Sequence, residues 1–215
     1  MKLLYEDDTI LVCLKEAGIA TQTKQIGRKD MESMLRTYRM QKGEPPYIGV
    51  VHRLDQPVTG VMVFAKTKEA AANLSRQIAA KSADKFYYAV TDGLPAQKKG
   101  ILEDYLLRDG RMNTSKVVPA KTEGAKRAEL SYEVIAQNDK NAILRIKLHT
   151  GRHHQIRVQL ANAGCPLVGD RKYNFKENMK PSGQQLSLCS YKIAFKHPKT
   201  GRNVSYEMEL PYHLT

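Results

Sequence analysis

An α+β fold with a largely antiparallel mixed sheet and flanking helices is what the sequence predicts, and three observations carry the prediction. In 142–148 and in 204–210, apolar residues alternate strictly with polar ones, which is the pattern of strands with one wet face. Five further apolar runs of strand length lie at 10–14, 60–66, 86–91, 128–134 and 186–195. So many strands with a polar face do not suit a parallel doubly wound sheet, whose strands are buried on both sides. Three segments, by contrast, carry helical periodicity.

In the first of these, Asp30 can cap a helix whose Met31, Met34, Leu35 and Tyr38 fall on one face. In the second, Thr67 can cap a helix carrying Ala71, Leu74 and Ile78. The third runs from about 152 to 163, with Ile156, Leu160 and Ala163 on one face and Gly164 where a left-handed stop belongs. Neither a repeat nor a linker divides the chain, so a single domain over 1–215 is expected.

Composition narrows the partners. Lys and Arg total 35 against 22 Asp and Glu, a net charge of +13, which is more than solubility requires and points to a polyanion. Nucleic acid is the commonest such partner, because each neutralised phosphate releases condensed counterions. The opening residues MKLLYEDDTILVC reach three acids by position 8 and contain no run long enough for a signal peptide or membrane span, so a cytoplasmic location is expected. Cys13, Cys165 and Cys189 are far apart with no CxxC pair, which offers nothing for zinc.

Three segments carry chemistry. Val50 to Gly60, with His52-Arg53-Leu54-Asp55-Gln56-Pro57, reads as a loop entering the apolar run Val61 to Ala65. Asp55 there is either a nucleophile held by neighbouring cations or a turn-capping carboxylate. Leu148 to Leu160 passes from a strand through a turn into the third helix, and between 145 and 172 six Lys or Arg accompany one acid. Arg152 at the turn suits phosphate. Arg157 should sit at the edge of the core and reach a carboxylate from another segment, unless it is an ordinary exposed helix arginine. His149 and His153 have metal-like spacing only on one helix, and Thr150-Gly151 interrupts it, so no metal is expected. In Lys85-Phe86-Tyr87-Tyr88-Ala89-Val90, one tyrosine should face the core and the other a cleft or solvent, where a ring could stack on a base.

Together these segments resemble the RluA-type family of pseudouridine synthases, from Leu4 almost to Pro211. The resemblance rests on Tyr5-Glu6-Asp7-Asp8, Lys15-Glu16-Ala17-Gly18 and His52-Arg53-Leu54-Asp55. It continues through Gly151-Arg152 with His154-Gln155-Ile156-Arg157, Gly164 with Pro166, Gly169-Asp170 with Tyr173, and His197-Pro198 with Thr200-Gly201. Departures occur at Glu16, Val58-Thr59-Gly60, Gln159 and Cys189-Ser190.

The resemblance implies a pseudouridine synthase fold with a central active-site cleft, and isomerisation of a uridine in ribosomal or transfer RNA without any cofactor. It makes Asp55 the nucleophile, Tyr87 the ring that stacks on the uracil or assists proton transfer, and Arg157 the partner of Asp55. Arg53 would contact the RNA near the flipped nucleotide, and His52, Arg152, His154 and Gln155 are further expected RNA contacts. The pattern begins within the first ten residues, so no preceding RNA-binding module of the S4 type is expected, and neither is an obligate protein partner: a monomer. Two rivals stay open: an RNA-binding protein without chemistry, and a histidine-dependent ribonuclease using His153 and His154.

Overall fold

The computed structural model of the chain describes residues 1–25, 27–179 and 184–214. Its elements, in chain order, are β1 (Lys2–Glu6), β2 (Ile10–Lys15), α1 (Met31–Gln41), β3 (Gly49–Val50), β4 (Thr59–Ala65), α2 (Lys68–Ala79), β5 (Asp84–Asp92), β6 (Lys99–Asp109), β7 (Thr114–Val118), β8 (Lys126–Gln137), β9 (Asn141–Leu148), α3 (Gln155–Asn162), β10 (Leu188–Lys196) and β11 (Asn203–Glu207). A 3-10 turn covers Phe175–Met179. The chain divides into two compact units, one of residues 1–85 with 190–209 and one of 86–189 with 210–215.

In the first unit the strands run β1-β2-β4-β10, with β3 attached to β4 and β11 to β10. β2 pairs antiparallel with β4 from Ile10 opposite Ala65 to Lys15 opposite Gly60. Ile10, Val12, Val61, Val63 and Ala65 pack with Ala70 and Leu74 of α2 and with Ile193 and Phe195 of β10. Each large aliphatic side chain buried in this way contributes about 1.5–3 kcal/mol. Both predicted caps are present. Asp30 accepts the Ser33 amide while the Ser33 side chain accepts the Asp30 amide, a reciprocal capping box, and Thr67 accepts the Ala70 amide.

Arg39 at the end of α1 is 5% exposed and donates to the Lys66 carbonyl at 3.0 Å. Lys66, also buried, is held by Glu6 at 2.7 Å and Glu44 at 3.0 Å. Every buried cation in this corner therefore has an oxygen partner, as the cost of desolvating a charge demands.

In the second unit the order is β5-β9-β8-β6-β7. β8 lies antiparallel between β9 and β6, and β6 makes a hairpin with β7, Asp109 opposite Thr114. Leu106 of β6, Ala128 of β8 and Val158 of α3 form a core that Val117 and Tyr173 close. The third helix is shorter than its apolar pattern predicts, starting at Gln155 after His154 takes a left-handed φ of 53°. β6 and β7 are strands that the hydrophobic pattern does not announce. Ile101 of β6 is 66% exposed and its alternation is blurred by Glu103-Asp104-Tyr105. Among the described residues, no helix is long and apolar enough to cross a membrane.

Candidate active site

The Asp55 loop is built from below by β2. Lys15 ends that strand with no exposed surface, and its Nζ donates to the carbonyls of Glu16 at 3.1 Å and Gln56 at 3.0 Å. Its own carbonyl accepts the Thr59 hydroxyl at 2.8 Å. Lys15 thus holds the chain that follows Asp55, at Gln56 and at Thr59. Burial draws the Lys15 ammonium down to about pKa 8, while the negative charge of Asp55 acts the other way and favours the charged amine.

Three more ties complete the loop. The Thr21 hydroxyl donates to the Leu54 carbonyl at 3.1 Å and accepts the Leu54 amide at 3.2 Å. The Gln56 carbonyl accepts the Gly18 amide at 2.9 Å, and its side-chain amide donates to the Gly18 carbonyl at 2.9 Å. The Val58 amide donates to the Asp55 carbonyl at 3.0 Å, closing a turn through Pro57. Asp55 is partly exposed on this turn and Arg53 is exposed.

His52 serves the same loop. Its Nε2 accepts the Val63 amide of β4 at 3.1 Å, and burial of the ring, with Lys85 adding to it, brings its pKa down to about 3. A neutral ring with Nε2 occupied leaves only Nδ1–H for any RNA contact. Gly60 follows with φ +142°; a Cβ there would lie 2.3 Å from the Ser190 carbonyl, so only glycine fits where the loop joins β4.

The second unit gathers the remaining predicted residues. Gln155, 3% exposed, accepts the Thr150 hydroxyl at 2.8 Å and the Arg152 amide at 3.0 Å, and donates to the Glu129 carbonyl at 3.0 Å. Its amide shapes the turn before α3 from behind the surface. Arg152 is exposed, with Nε donating to the Arg127 carbonyl at 2.9 Å. Tyr173 OH accepts the Ser115 amide at 2.7 Å, which leaves its proton for His154 Nδ1, 2.8 Å away.

The His154 ring stacks on His153 with centroids 3.8 Å apart. Burial first, then Arg157, His153, Lys172 and Arg108, hold its pKa down at about 2. The ring is therefore neutral at any working pH. His153 Nδ1 lies 2.9 Å from the Ser115 hydroxyl and Nε2 3.2 Å from Asn113 Oδ1, while His149 Nε2 lies 3.0 Å from the Ser131 hydroxyl.

Arg157 is buried, at 5% exposure. It donates from Nε and Nη2 to both oxygens of Asp170, at 2.8 and 2.7 Å, and lies 5.2 Å from the Tyr173 ring centroid. Tyr87 of β5 is the buried tyrosine of its pair, at 6% exposure, and Tyr88 the more open one.

Sequence reasoning gave no role to Lys15 or Asp170. A lysine closing an otherwise apolar strand, and an acid directly after a glycine in the one stretch poor in acids, were the available signals. Gly169 has φ +77° and a Cβ there would fall 2.0 Å from the Gln185 carbonyl, which fixes where Asp170 must sit.

A shared ancestry accounts for this layout. The profile of the RNA pseudouridylate synthase family matches residues 9–162, which include the Asp55 loop and α3. The chain belongs to the RNA pseudouridylate synthase family.

Among relatives, the ribosomal large subunit pseudouridine synthase D of Neisseria meningitidis serogroup B is 32% identical over all of this chain, which spans 60% of that protein's length. The ribosomal large subunit pseudouridine synthase C of Rickettsia felis is 32% identical over 99% of the chain and 68% of its own length. Of solved structures, human RNA pseudouridylate synthase domain containing 1 superposes with a TM-score of 0.81 at 22% identity, over 99% of this chain and 84% of that one. Human RNA pseudouridylate synthase domain containing 4 gives 0.79 at 22%, over 98% and 88%. At that identity the likeness shows the fold: the chain has the α+β fold of those domains.

Proposed function

We propose that the chain isomerises a uridine in structured RNA to pseudouridine, with Asp55 as the nucleophile. The observation that carries this reading is the support of one partly exposed carboxylate by Lys15, Thr21, His52 and Gln56, four side chains that spend their polar atoms on holding its loop. A capping aspartate on an ordinary surface turn has no need of a buried lysine, whose desolvation costs stability. Such cost is characteristic of positions where a reacting group must be held still.

The uridine must leave its stack before a carboxylate can reach it, at a cost of a few kcal/mol, and phosphate contacts on a +13 chain supply the binding energy. Asp55 then begins cleavage of the glycosidic bond. The uracil turns and rejoins the ribose through C5; the C5–C1′ bond replaces the N1–C1′ bond, C5 gives up its proton and N1 takes one up, so product and substrate are isomers. Tyr87 and Arg157 serve this reaction, Tyr87 by packing on the uracil and Arg157 by its fixed guanidinium. Arg53 and Arg152, both exposed, bind RNA, while His52, His154 and Gln155 shape the loops that do so. Ribosomal large-subunit RNA is the favoured substrate, because relatives at 32% identity carry that target in their names. The protein works as a cytoplasmic monomer.

Mapping of pseudouridine in ribosomal and transfer RNA tests this reading. Cells carrying the gene should show a site that disappears on deletion and does not return with Asp55→Asn. A site restored by Asp55→Asn would end the assignment.

A further inference from the structure

We infer that Phe175 is an RNA-stacking residue, a ring held in water by the fold so that an unpaired base can lie on it. This rests on the proposed RNA substrate and extends the site to a contact outside the reacting residues. Of the four phenylalanines, Phe64 and Phe195 are buried and Phe86 is half-buried with Lys147 5.6 Å from its ring centroid; Phe175 is 84% exposed.

Its exposure is imposed by a well-anchored turn. Asn174, 2% exposed, donates to the Leu167 carbonyl at 3.2 Å and to Asp92 at 3.1 Å, and its Oδ1 accepts the Lys176 amide at 3.2 Å. Glu177, 1% exposed, sends its amide to the Asn174 carbonyl at 3.1 Å. With 174 and 177 both pinned inward, the ring between them points outward.

The surroundings define the partner. Arg171, Lys172 and Lys176 are all exposed, and the two acids of the 170–177 stretch, Asp170 and Glu177, are buried. Lys172 Nζ donates to the Asn113 carbonyl at 2.7 Å, and Lys176 lies 3.7 Å from Asp92. A flat, exposed aromatic face on a segment whose exposed charges are all cationic fits a base with its flanking phosphates, where stacking is indifferent to base identity and each stacked base contributes about 5- to 150-fold in affinity. A single exposed aliphatic residue would need no such explanation. An aromatic ring anchored on both sides, on a segment whose exposed charges are all cationic, is a different matter.

The chain contains no tryptophan, so Phe175→Trp installs a unique fluorophore at the point in question. Binding is measured with total RNA from cells lacking the gene, in the Asp55→Asn background so that no turnover intervenes. Phe175→Trp should bind as tightly as Phe175 does, and its emission should be quenched on addition of RNA. Phe175→Ala should weaken binding about 10-fold. Unquenched emission, or equal affinity of Phe175→Ala, overturns the inference. So does an oligomeric state that changes with Phe175→Ala while RNA affinity does not, since the ring would then serve a protein contact. Failure of the chain bearing Asp55 to make pseudouridine would instead strike the proposed reaction, and leaves the stacking result to stand or fall by itself.

Discussion

Lys15 is the side chain whose chemistry most constrains the Asp55 loop, and its titration is predictable. Burial lowers its pKa from 10.5 to about 8, so between those values the folded chain binds fewer protons than the unfolded one and stability rises with pH. Relative to Lys15→Met, which lacks the titration, the parent should gain up to about 3 kcal/mol in urea unfolding between pH 8 and 10.5. A constant difference across that window would mean that the ammonium is solvated. Lys15→Met should also slow turnover at pH 7, because the Gln56 carbonyl loses its partner and the turn loosens.

His52 titrates at the opposite end. Its pKa falls from 6.5 to about 3, so the folded state is short of protons in that range and acid destabilises it. His52→Gln, which can still accept the Val63 amide, should flatten the acid limb below pH 6.5 in an unfolding series; His52→Leu should instead cost about 1–3 kcal/mol at pH 7. His52 and Asp55 are legible in the sequence as a local cluster. The role of Lys15 is not, because its partners lie 41 residues away at Gln56 and 44 away at Thr59, and hydrophobic pattern carries no information on pairing at that distance.

At the scale of elements, the buried Arg157–Asp170 pair ties α3 to the turn that follows Gly169. Asp170→Asn takes a neutralising charge from a buried guanidinium, so it should cost about 3–5 kcal/mol, read as a lowered urea midpoint at unchanged slope. Gly60→Ala should be comparably damaging, about 2–4 kcal/mol, since the Cβ would meet the Ser190 backbone; an unchanged midpoint would show that β4 can shift.

Where local chemistry decides, the elements were readable. The Asp30 and Thr67 caps, the apolar β2 and β4, and the alternation of β9 all appear where the sequence puts them. β6 and β7 were not readable, because a hairpin wet on one face and carrying an exposed Ile101 loses the contrast on which period-2 reasoning relies. The start of α3 was misplaced by about three residues for a different reason. His154 occupies a left-handed conformation that glycine or asparagine would have announced and histidine does not.

For the whole molecule, the +13 charge sets how binding responds to salt. If on the order of six phosphates are neutralised, RNA affinity should fall by about 10³ between 50 and 200 mM salt, measured by filter binding, and a slope near zero would mean that charge does not drive the association. Arg53→Ala and Arg152→Ala should each reduce that slope by about one charge. The fold class and family were legible because motifs recur in a fixed order along nearly the entire chain, whereas the two-unit division was not, since no composition shift or linker marks it. The claim on which everything functional depends is that Asp55 performs chemistry instead of capping a turn. Release of tritium from RNA labelled at uracil C5 tests it most directly, with the purified chain and its Asp55→Asn variant compared at equal RNA occupancy. The parent should release tritium in step with pseudouridine formed and the variant none; equal release from both would show that the carboxylate is not the nucleophile.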